Sequence, residues 1–261
     1  MKKLYCLCLV FISLSLSAQR IALVGAMPEE IRILTENLKH KEVVEKHGLT
    51  FYTGELTGKA VVVLKIGVGK VNAAYSTTVL LHEFEIEKVI FTGVAGGLHP
   101  ESFPGDMVIG EQVFQHDYVK MLENETIVRA TLNPEKEELN PLFFSCDSAL
   151  VQMAKDAAQQ LEFAMVADRK PRVFAGVIAT GDAFVSNTAK AKQLYADFQA
   201  LATEMEGAAL GQICYQNQVP FLVIRSCSDN ANNQAHLDFK TFMKPAAANA
   251  IQLVMGVLAK L

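Results

Sequence analysis

The stretch PFLVIRSCSD, residues 220–229, is typical of an apolar strand that turns polar at its carboxyl end. No charged side chain occurs up to Ile224, whereas Arg225, Ser228 and Asp229 follow within five residues. Ligand sites in open α/β sheets lie just outside the carboxyl ends of buried strands. The stretch therefore predicts an α/β fold with a small-molecule site beside residues 225–229.

Two more acidic residues stand where an apolar helix is predicted to begin, in TEMEGAA at residues 203–209. Small residues follow Glu204 and Glu206 and allow close approach of a ligand or another backbone. A helix dipole also favours acidic residues at this position, and Ser228 or Asp229 is suited to cap a following helix. A structural role stays open for each residue alone, but their clustering at strand ends favours a polar pocket that breaks a bond in a small polar molecule.

The rest of the chain alternates strand patterns with helix patterns. Residues 21–24 are the first predicted strand, and Pro28 begins a helix whose first turn contains Glu30. Further predicted elements are a hairpin over 49–66, strands over 88–92, 106–114 and 172–180, and helices ending near 85 and over 148–161, 188–197 and 239–261. Asp238 is a candidate cap for the last helix. This alternation indicates an α/β fold with a parallel or mixed sheet.

Three glycine-containing turns and one polar segment complete the organisation. The turns lie at residues 67–69, 93–97 and 181–182, each after an apolar strand pattern. Glycine lets backbone approach a ligand closely, and Phe184 after the last turn is suited either to stacking on a flat ring or to the core. Residues 118–141 are polar and irregular and predict a loop over or beside the pocket.

Composition limits the classes of function. The chain has 261 residues, 51% of them apolar, which suits one α/β domain with a large core. The formal net charge is -4 and no basic run is present, so nucleic acid is not expected as a partner. The five cysteines have no metal-ligand spacing, and no metal site is expected.

The first residues have the layout of a secretory signal peptide. Lysines at positions 2 and 3 precede an apolar run over residues 4–16, and Ala18 is a small residue suited to cleavage. The run is short for a membrane span, so no stable membrane anchor is expected. We expect a signal peptide over 1–18, export to a periplasm, and a single mature domain over 19–261.

Six motifs, taken in order, resemble the 5′-methylthioadenosine/S-adenosylhomocysteine nucleosidases of the purine nucleoside phosphorylase superfamily. The motifs are GAMPEE at 25–30, GVGK at 67–70, TGVAGG at 92–97, GDAF at 181–184, EME at 204–206 and SD at 228–229. The resemblance extends from about residue 20 to the end. It implies a three-layer α/β/α sandwich with a central mixed β-sheet, a small-molecule nucleoside and water as substrates, a homodimer, and no cofactor.

The resemblance also implies roles for single residues. Glu30 matches the carboxylate that activates the attacking water. Asp229 matches the acid that protonates or hydrogen-bonds adenine N7. Glu206 matches the residue that holds the ribose hydroxyls, with Met205 beside it, and Phe184 matches the ring that stacks on adenine.

Other matched positions surround these residues. Met27, Val68 and Phe239 match apolar contacts to the sugar and its 5′ substituent. The remaining matches are the Val185 backbone at the adenine edge, Arg225 and Glu204 as supporting residues, Ser228 in the Ser-Asp motif, and Val94, where some members have serine. Contacts to the 5′ substituent are also expected from residues 118–141 and from a second subunit.

The implied chemistry is cleavage of an N-glycosidic bond with release of adenine. Cleavage builds positive charge on the ribose and negative charge on the leaving base, so an acid at N7 and a carboxylate that activates water both fit. Asp229 then needs a raised pKa to hold its proton at neutral pH. Hydrolysis is expected over phosphorolysis, because Glu30 repels phosphate and the arginine-bearing turn of many phosphorylases is missing.

Three alternatives remain open on this sequence. Two are enzymes on the same fold, a futalosine-type nucleoside hydrolase and a nucleoside phosphorylase. The third is an exported nucleoside-binding protein without catalysis. Retention of Glu30 together with Glu206 and Asp229 argues against the third, because binding alone needs no carboxylate that activates water.

Overall fold

The structure of the protein, a computed structural model, describes residues 19–261, so the predicted signal peptide lies outside the described residues. In chain order the elements of this part are β1 (Arg20–Gly25), α1 (Pro28–Glu36), β2 (Lys39–Lys46), β3 (Leu49–Leu56), β4 (Lys59–Lys65), α2 (Lys70–Glu83), β5 (Ile86–Gly97), β6 (Met107–Gln115), β7 (Val119–Met121), β8 (Thr126–Val128), β9 (Phe144–Ser145), α3 (Ser148–Gln160), β10 (Val173–Thr180), α4 (Thr188–Phe198), β11 (Ala200–Glu204), α5 (Gly207–Gln216), β12 (Phe221–Asp229) and α6 (Ala235–Leu258).

The predicted first strand and helix are confirmed. β1 is buried after its first residue, and Pro28 occupies the first turn of α1, where its missing N–H sacrifices no helical hydrogen bond. Glu29 and Glu30 follow at the helix end whose dipole favours negative charge. Since α1 begins three residues after β1 ends, Glu30 lies beside the carboxyl end of a buried strand.

Ten strands form one mixed sheet in the order β11-β10-β6-β12-β5-β1-β4-β3-β2, with β9 paired to β6. β5 pairs in parallel with both β1 and β12, whereas β12 and β6 are antiparallel. Helices α1 and α3 both contact α6, and α2 contacts α5, as expected for layers on two faces of the sheet. The predicted α/β fold with a central mixed sheet is confirmed.

The stretches 203–209 and 220–229 meet at the end of β5. Gly96 of β5 pairs with Asp229 of β12 on one side and with Thr203 of β11 on the other. The second pairing closes β5, β12, β6, β10 and β11 into a ring. The carboxyl ends of β11 and β12 therefore lie on either side of one glycine.

Three elements differ from the predictions. β2 was not predicted, because this edge strand reads KHKEVVEK and is almost wholly exposed, as charged edge strands are. The segment 118–141 contains the small hairpin β7–β8 and not only irregular loop. Helix α6 begins at Ala235, with Gln234 at its N-cap, so Asp238 lies inside the first turn and does not cap the helix.

The described cysteines behave as core residues. Cys146, Cys214 and Cys227 are free and buried, and burial raises the pKa of all three thiols, so none is suited to act as a nucleophile at neutral pH. Within residues 19–261 no group of three or more His, Cys, Asp or Glu side chains is arranged to hold a metal. In the same range, every helix is too short or too polar to cross a bilayer.

Candidate active site

Most predicted site residues meet around one cavity of about 330 Å³. All of them except Arg225 line it: Met27, Glu30, Val68, Val94, Phe184, Val185, Glu204, Met205, Glu206, Ser228, Asp229 and Phe239. Two larger grooves, of about 640 and 780 Å³, share no residue with it, and neither is lined by a buried charged side chain. The cavity that holds the buried charges is therefore the candidate active site.

Glu30 is fixed in the cavity wall by backbone amides. Its Oε2 accepts hydrogen bonds from the amides of Ala26, at 2.6 Å, and Met27, at 2.9 Å, and its Oε1 accepts one from Val94 at 2.9 Å. The first two donors belong to the β1–α1 turn and the third to β5. The carboxylate is held at a defined position by elements that the core itself fixes.

Burial and one nearby cation set the charge of Glu30. The side chain is 2% exposed, and this desolvation raises the pKa of Glu30, while the positive charge of Arg225 and the three amide hydrogen bonds oppose the shift. A carboxylate with a raised pKa accepts a proton more readily than an ordinary glutamate. Glu30 is thus suited to take a proton from a bound water.

Arg225 lies behind the cavity wall and pairs with Glu204. Its Nη2 donates to Oε2 of Glu204 at 2.5 Å and lies 3.9 Å from Oε2 of Glu206. Glu204 also accepts from the Gly207 amide at 2.8 Å and from the Thr180 hydroxyl. Because Glu204 is satisfied inside the protein, Arg225 and Glu204 form a buried support, and Arg225 reaches the cavity only through its neighbours.

Glu206, unlike Glu204, keeps one oxygen available to the cavity. Its Oε1 accepts a hydrogen bond of 2.8 Å from the amide of Gly69, at the start of α2. Desolvation, followed by the negative charge of Glu204, raises the pKa of Glu206 to about 8. Hydroxyl groups that donate hydrogen bonds to Glu206 would stabilise its ionised form, since hydrogen bonds to the charged form favour ionisation.

Asp229 ends β12 and faces the cavity across Gly96. The register shifts between Cys227 and Asp229, and a methyl group at Gly96 would stand 2.9 Å from Oδ1 of Asp229, so the strand end needs glycine opposite it. Ser228 donates to Oδ2 at 2.9 Å, and the Ala231 amide donates to Oδ1 at 2.8 Å.

The environment of Asp229 favours the protonated acid. Desolvation raises its pKa to about 6, with a smaller contribution from the charge of Asp238, and the two hydrogen bonds only partly oppose the shift. The pKa of Asp229 is thus raised in the direction that the implied mechanism requires. Asp229 therefore keeps its proton to a higher pH than an ordinary aspartate does.

One wall of the cavity is aromatic. The Phe184 ring is 47% exposed, and its centroid lies 5.9 Å from that of Phe239 and 6.4 Å from that of His236, both edge-on. Val185 beside it is buried. An exposed ring face with fixed neighbours suits stacking on a flat base.

Some lining residues were not predicted: Ala26, Ala95, Gly96, Ala183, Thr203, His236 and Lys240. His236 and Lys240 belong to the first turns of α6, which begins four residues before its predicted start. Conversely, the segment 118–141 contributes no lining residue to the cavity of its own chain. Thr131 of that segment instead donates to Gln212 of α5 at 3.1 Å.

A polar clamp behind Gly69 was also missed. Lys70 donates through Nζ to Asp117 at 2.6 Å and through its amide to Asp182 at 2.7 Å, and the Asp182 amide donates to Asp117 at 2.7 Å. The clamp ties the turn that contacts Glu206 to the turn that precedes Phe184. Lys70 and Asp182 belong to the GVGK and GDAF motifs, but no local pattern predicts that Asp117 joins them.

Comparison with known proteins shows the family of the chain. The family model described as the phosphorylase superfamily matches residues 20–259. A 5′-methylthioadenosine/S-adenosylhomocysteine nucleosidase of Bacillus thuringiensis is 40% identical over 245 residues, which cover 93% of this chain and 99% of the relative. The chain belongs to the 5′-methylthioadenosine/S-adenosylhomocysteine nucleosidase family.

Solved structures of this nucleosidase family share the fold. The nucleosidase from Neisseria meningitidis, in complex with methylthio-immucillin-A, has a TM-score of 0.81 at 36% identity, over 94% of this chain and 100% of that one. The futalosine hydrolase of Helicobacter pylori has a TM-score of 0.80 at 30% identity, over 93% and 98% of the two chains. The nucleosidase fold is thus confirmed, and the same fold also occurs in a futalosine hydrolase.

Proposed function

We propose that the protein is a hydrolase that cleaves the N-glycosidic bond of 5′-methylthioadenosine and S-adenosylhomocysteine and releases adenine. The nucleosidases to which it is similar carry these two nucleosides in their names. The observation that carries the proposal is that Glu30 and Asp229 line the same cavity. One is a carboxylate fixed by three amides, and the other is an acid whose pKa is raised to about 6.

Glu30 activates the attacking water in this proposal. Its amide donors hold both oxygens before substrate arrives, so little reorganisation is needed as charge develops. When water attacks C1′ of the ribose, its proton passes to Glu30. Before Glu30 takes that proton, its negative charge stabilises the positive charge that builds on the ribose.

Asp229 assists departure of the base. It donates its proton or a hydrogen bond to adenine N7, so the electrons of the broken C1′–N9 bond enter a base that carries less negative charge. Phe184 stacks on the adenine ring, and the Val185 backbone contacts its edge. Glu206 accepts hydrogen bonds from the ribose hydroxyls, with Met205 beside the sugar.

The charges around the cavity favour water over phosphate as the nucleophile. Four carboxyl groups line it, and Arg225 behind the wall is already paired with Glu204. A phosphate dianion beside Glu30 would lack a free cation there and would meet negative charge at short range. Phosphorolysis is therefore disfavoured. A protein that only binds nucleosides would not need the fixed carboxylate of Glu30, so that alternative is disfavoured as well.

A futalosine-type nucleoside is the second candidate substrate. The support is the similarity to the futalosine hydrolase of Helicobacter pylori, which matches the fold about as well as the nucleosidases do. The 40% identity to named 5′-methylthioadenosine/S-adenosylhomocysteine nucleosidases favours the first candidate.

We propose a homodimer whose second subunit completes the 5′ end of the cavity. Val68 lines the cavity and is 46% exposed, and Val71 and Tyr75 extend this apolar surface along α2. Met121 on β7 is also exposed. Exposed apolar patches of this kind mark protein interfaces. Light scattering is expected to give about twice the mass of one chain, and a monomeric mass would contradict the proposal.

We also propose that the protein is exported and cleaved after Ala18, leaving a single nucleosidase domain from residue 19. The support is the charged start and short apolar run of the first residues. Cell fractionation followed by N-terminal sequencing of the product tests this, and an intact N-terminus in the cytoplasm would contradict it.

Product analysis in phosphate-free buffer tests the catalytic proposal. Glu30→Gln and Asp229→Asn are expected to lose adenine release from 5′-methylthioadenosine. Glu29→Gln is the matched control, because Glu29 is the neighbouring acid on α1 and does not line the cavity. Adenine release only when phosphate is present would move the assignment to a phosphorylase.

A further inference from the structure

The first turns of α6 add a positive charge to the mouth of the cavity. His236, Phe239 and Lys240 line the cavity together, and their spacing puts them on one face of the helix. His236 and Phe239 both meet the Phe184 ring edge-on. Lys240 is exposed and follows Phe239, which the family resemblance assigns to contacts with the sugar and its 5′ substituent.

Lys240 differs from the other charged groups that line the cavity. The four acids are buried and each accepts at least one hydrogen bond from the protein. Lys240 makes no hydrogen bond and no ion pair within residues 19–261, and it is the one permanent cation among the lining side chains of that range. Asp238, on the same turn, does not line the cavity.

We propose that Lys240 forms a subsite for a carboxylate at the end of the 5′ substituent of the nucleoside. The inference rests on the proposed function, which puts adenine against Phe184, and on the family resemblance, which assigns Phe239 to the sugar and its 5′ substituent. A cation beyond Phe239 then meets whatever lies at the far end of that substituent. A methylthio group offers it nothing, whereas an amino-acid thioether or a simple carboxyalkyl thioether offers a negative charge.

Solvent exposure limits the size of the effect. Exposed ion pairs contribute little, so the carboxylate should gain about 2- to 5-fold in kcat/KM over the neutral substituent through Lys240. The gain should appear mainly in KM, because the contact lies far from the reacting bond and is made equally in ground and transition states. It should also weaken in high salt, since the Debye length falls from about 30 Å at 0.01 M to about 3 Å at 1 M.

Three adenosine 5′-thioethers separate the possible sources of recognition. They are 5′-methylthioadenosine, S-adenosylhomocysteine with its carboxylate and ammonium, and 5′-(3-carboxypropyl)thioadenosine with a carboxylate alone. The measurement is the ratio of kcat/KM for each carboxylate substrate to that for 5′-methylthioadenosine. A fall in both ratios in Lys240→Gln indicates carboxylate recognition, and a fall for the carboxypropyl compound alone indicates that the ammonium cancels it for the amino acid.

Lys244 supplies the matched control. It lies one turn further along α6, is also exposed, and lines a different groove. Lys240→Gln is expected to lower the ratio of kcat/KM values, and Lys240→Glu to lower it further. Lys244→Gln and Lys244→Glu are expected to leave the ratio unchanged. An equal ratio in active wild type and Lys240→Glu overturns the subsite alone. Absence of adenine from all three nucleosides in wild type overturns the proposed hydrolase and the subsite together.

Discussion

Glu30 and Arg225 approach each other across Gly93, which has no side chain to separate them. A methyl group at position 93 would stand 2.7 Å from Oε1 of Glu30 and 2.8 Å from Nη1 of Arg225. The guanidinium charge lowers the pKa of Glu30 against the larger effect of burial. The charge of the proposed water-activating group therefore depends on a glycine that neither donates nor accepts a proton.

Replacing Gly93 by alanine should damage catalysis. The added methyl is too close to both charged groups, and Glu30 has to leave the position that its three amide donors define. A misplacement of about 1 Å costs about 100-fold in rate, so Gly93→Ala is expected to lower kcat by about that factor. Steady-state adenine release measures it.

Gly110→Ala is the control for this substitution. Gly110 is also a strand glycine, and its added methyl would meet Ile178 Cδ1 and the Val223 backbone oxygen, each at 3.1 Å, away from the cavity. Both variants lose some packing quality, but only the one at position 93 should lose catalysis. Wild-type kcat in Gly93→Ala would show that the position of Glu30 is not critical.

The pH profile should report the proton on Asp229. The pKa of Asp229 is about 6, and the acid acts only when protonated, so its contribution to kcat/KM declines as the pH rises above that value. Asp229→Asn removes the titration and is expected to lose about 10²–10⁴-fold in rate, with no alkaline decline from this group in the residual activity. If kcat/KM of Asp229→Asn declines at alkaline pH as it does in wild type, the decline comes from another group.

Stability gives an independent check on the same group. The folded-state pKa of Asp229 is raised from 3.8 to about 6, so the folded protein binds this proton more tightly than the unfolded chain does. The stabilisation is present below about pH 4 and is lost as the pH rises through 6. Asp229→Asn should therefore raise Tm relative to wild type at pH 8 more than at pH 4, and an equal shift at both values would contradict the raised pKa.

Removing Arg225 should destabilise the fold. The side chain is 1% exposed and pairs with Glu204 at 2.5 Å, with its guanidinium 3.8 Å from the centre of the Phe91 ring. Breaking a buried pair leaves an uncompensated charge and costs about 3–5 kcal/mol. Urea unfolding of Arg225→Ala is expected to show a loss of that order in the free energy of unfolding.

An exposed pair of the same kind sets the baseline. Arg32 and Glu36 pair at 3.1 Å on the surface of α1, with both side chains more than half exposed. Arg32→Ala should cost about 0.5 kcal/mol or less. Equal losses for Arg32→Ala and Arg225→Ala would contradict a structural role for the buried pair.

The clamp behind Gly69 should affect binding more than chemistry. Asp117 holds Lys70 and the Asp182 amide, and so positions the Gly69 amide on Glu206 without touching the cavity. Asp117→Asn is expected to raise KM by about 2- to 30-fold, with a smaller change in kcat. Glu111→Gln, which breaks the remote Lys155–Glu111 pair of 2.7 Å, should change neither, and a loss confined to kcat in Asp117→Asn would contradict a positioning role.

The sequence was informative where chemistry coincides with a strand end. Glu30 could be placed because Pro28 and an apolar strand fix the start of α1 beside it, and Asp229 because an apolar strand turns polar there. Burial of these groups, and hence the direction of the Asp229 pKa, follows from the same strands. These positions could be predicted because the residues that determine them are adjacent in the sequence.

Other parts of the site depend on contacts that no local pattern records. The Gly69–Glu206 hydrogen bond joins residues 137 apart, and the Lys70–Asp182 bond joins residues 112 apart. His236 was missed because the start of α6 was placed at residue 239, after a polar loop without a recognisable cap, whereas Lys240 lay inside the predicted helix and no pattern marked it as a cavity residue. Closure of β11 onto β5 likewise requires the whole ring of strands.

The origin of the oxygen at C1′ of the sugar product tests the central claim most directly. The protein is incubated with 5′-methylthioadenosine in phosphate-free water enriched in the heavy oxygen isotope, and the products are analysed by mass spectrometry as soon as they form. We expect free adenine together with a sugar that carries one heavy oxygen. No cleavage without phosphate, and a sugar phosphate when phosphate is supplied, would contradict attack by water.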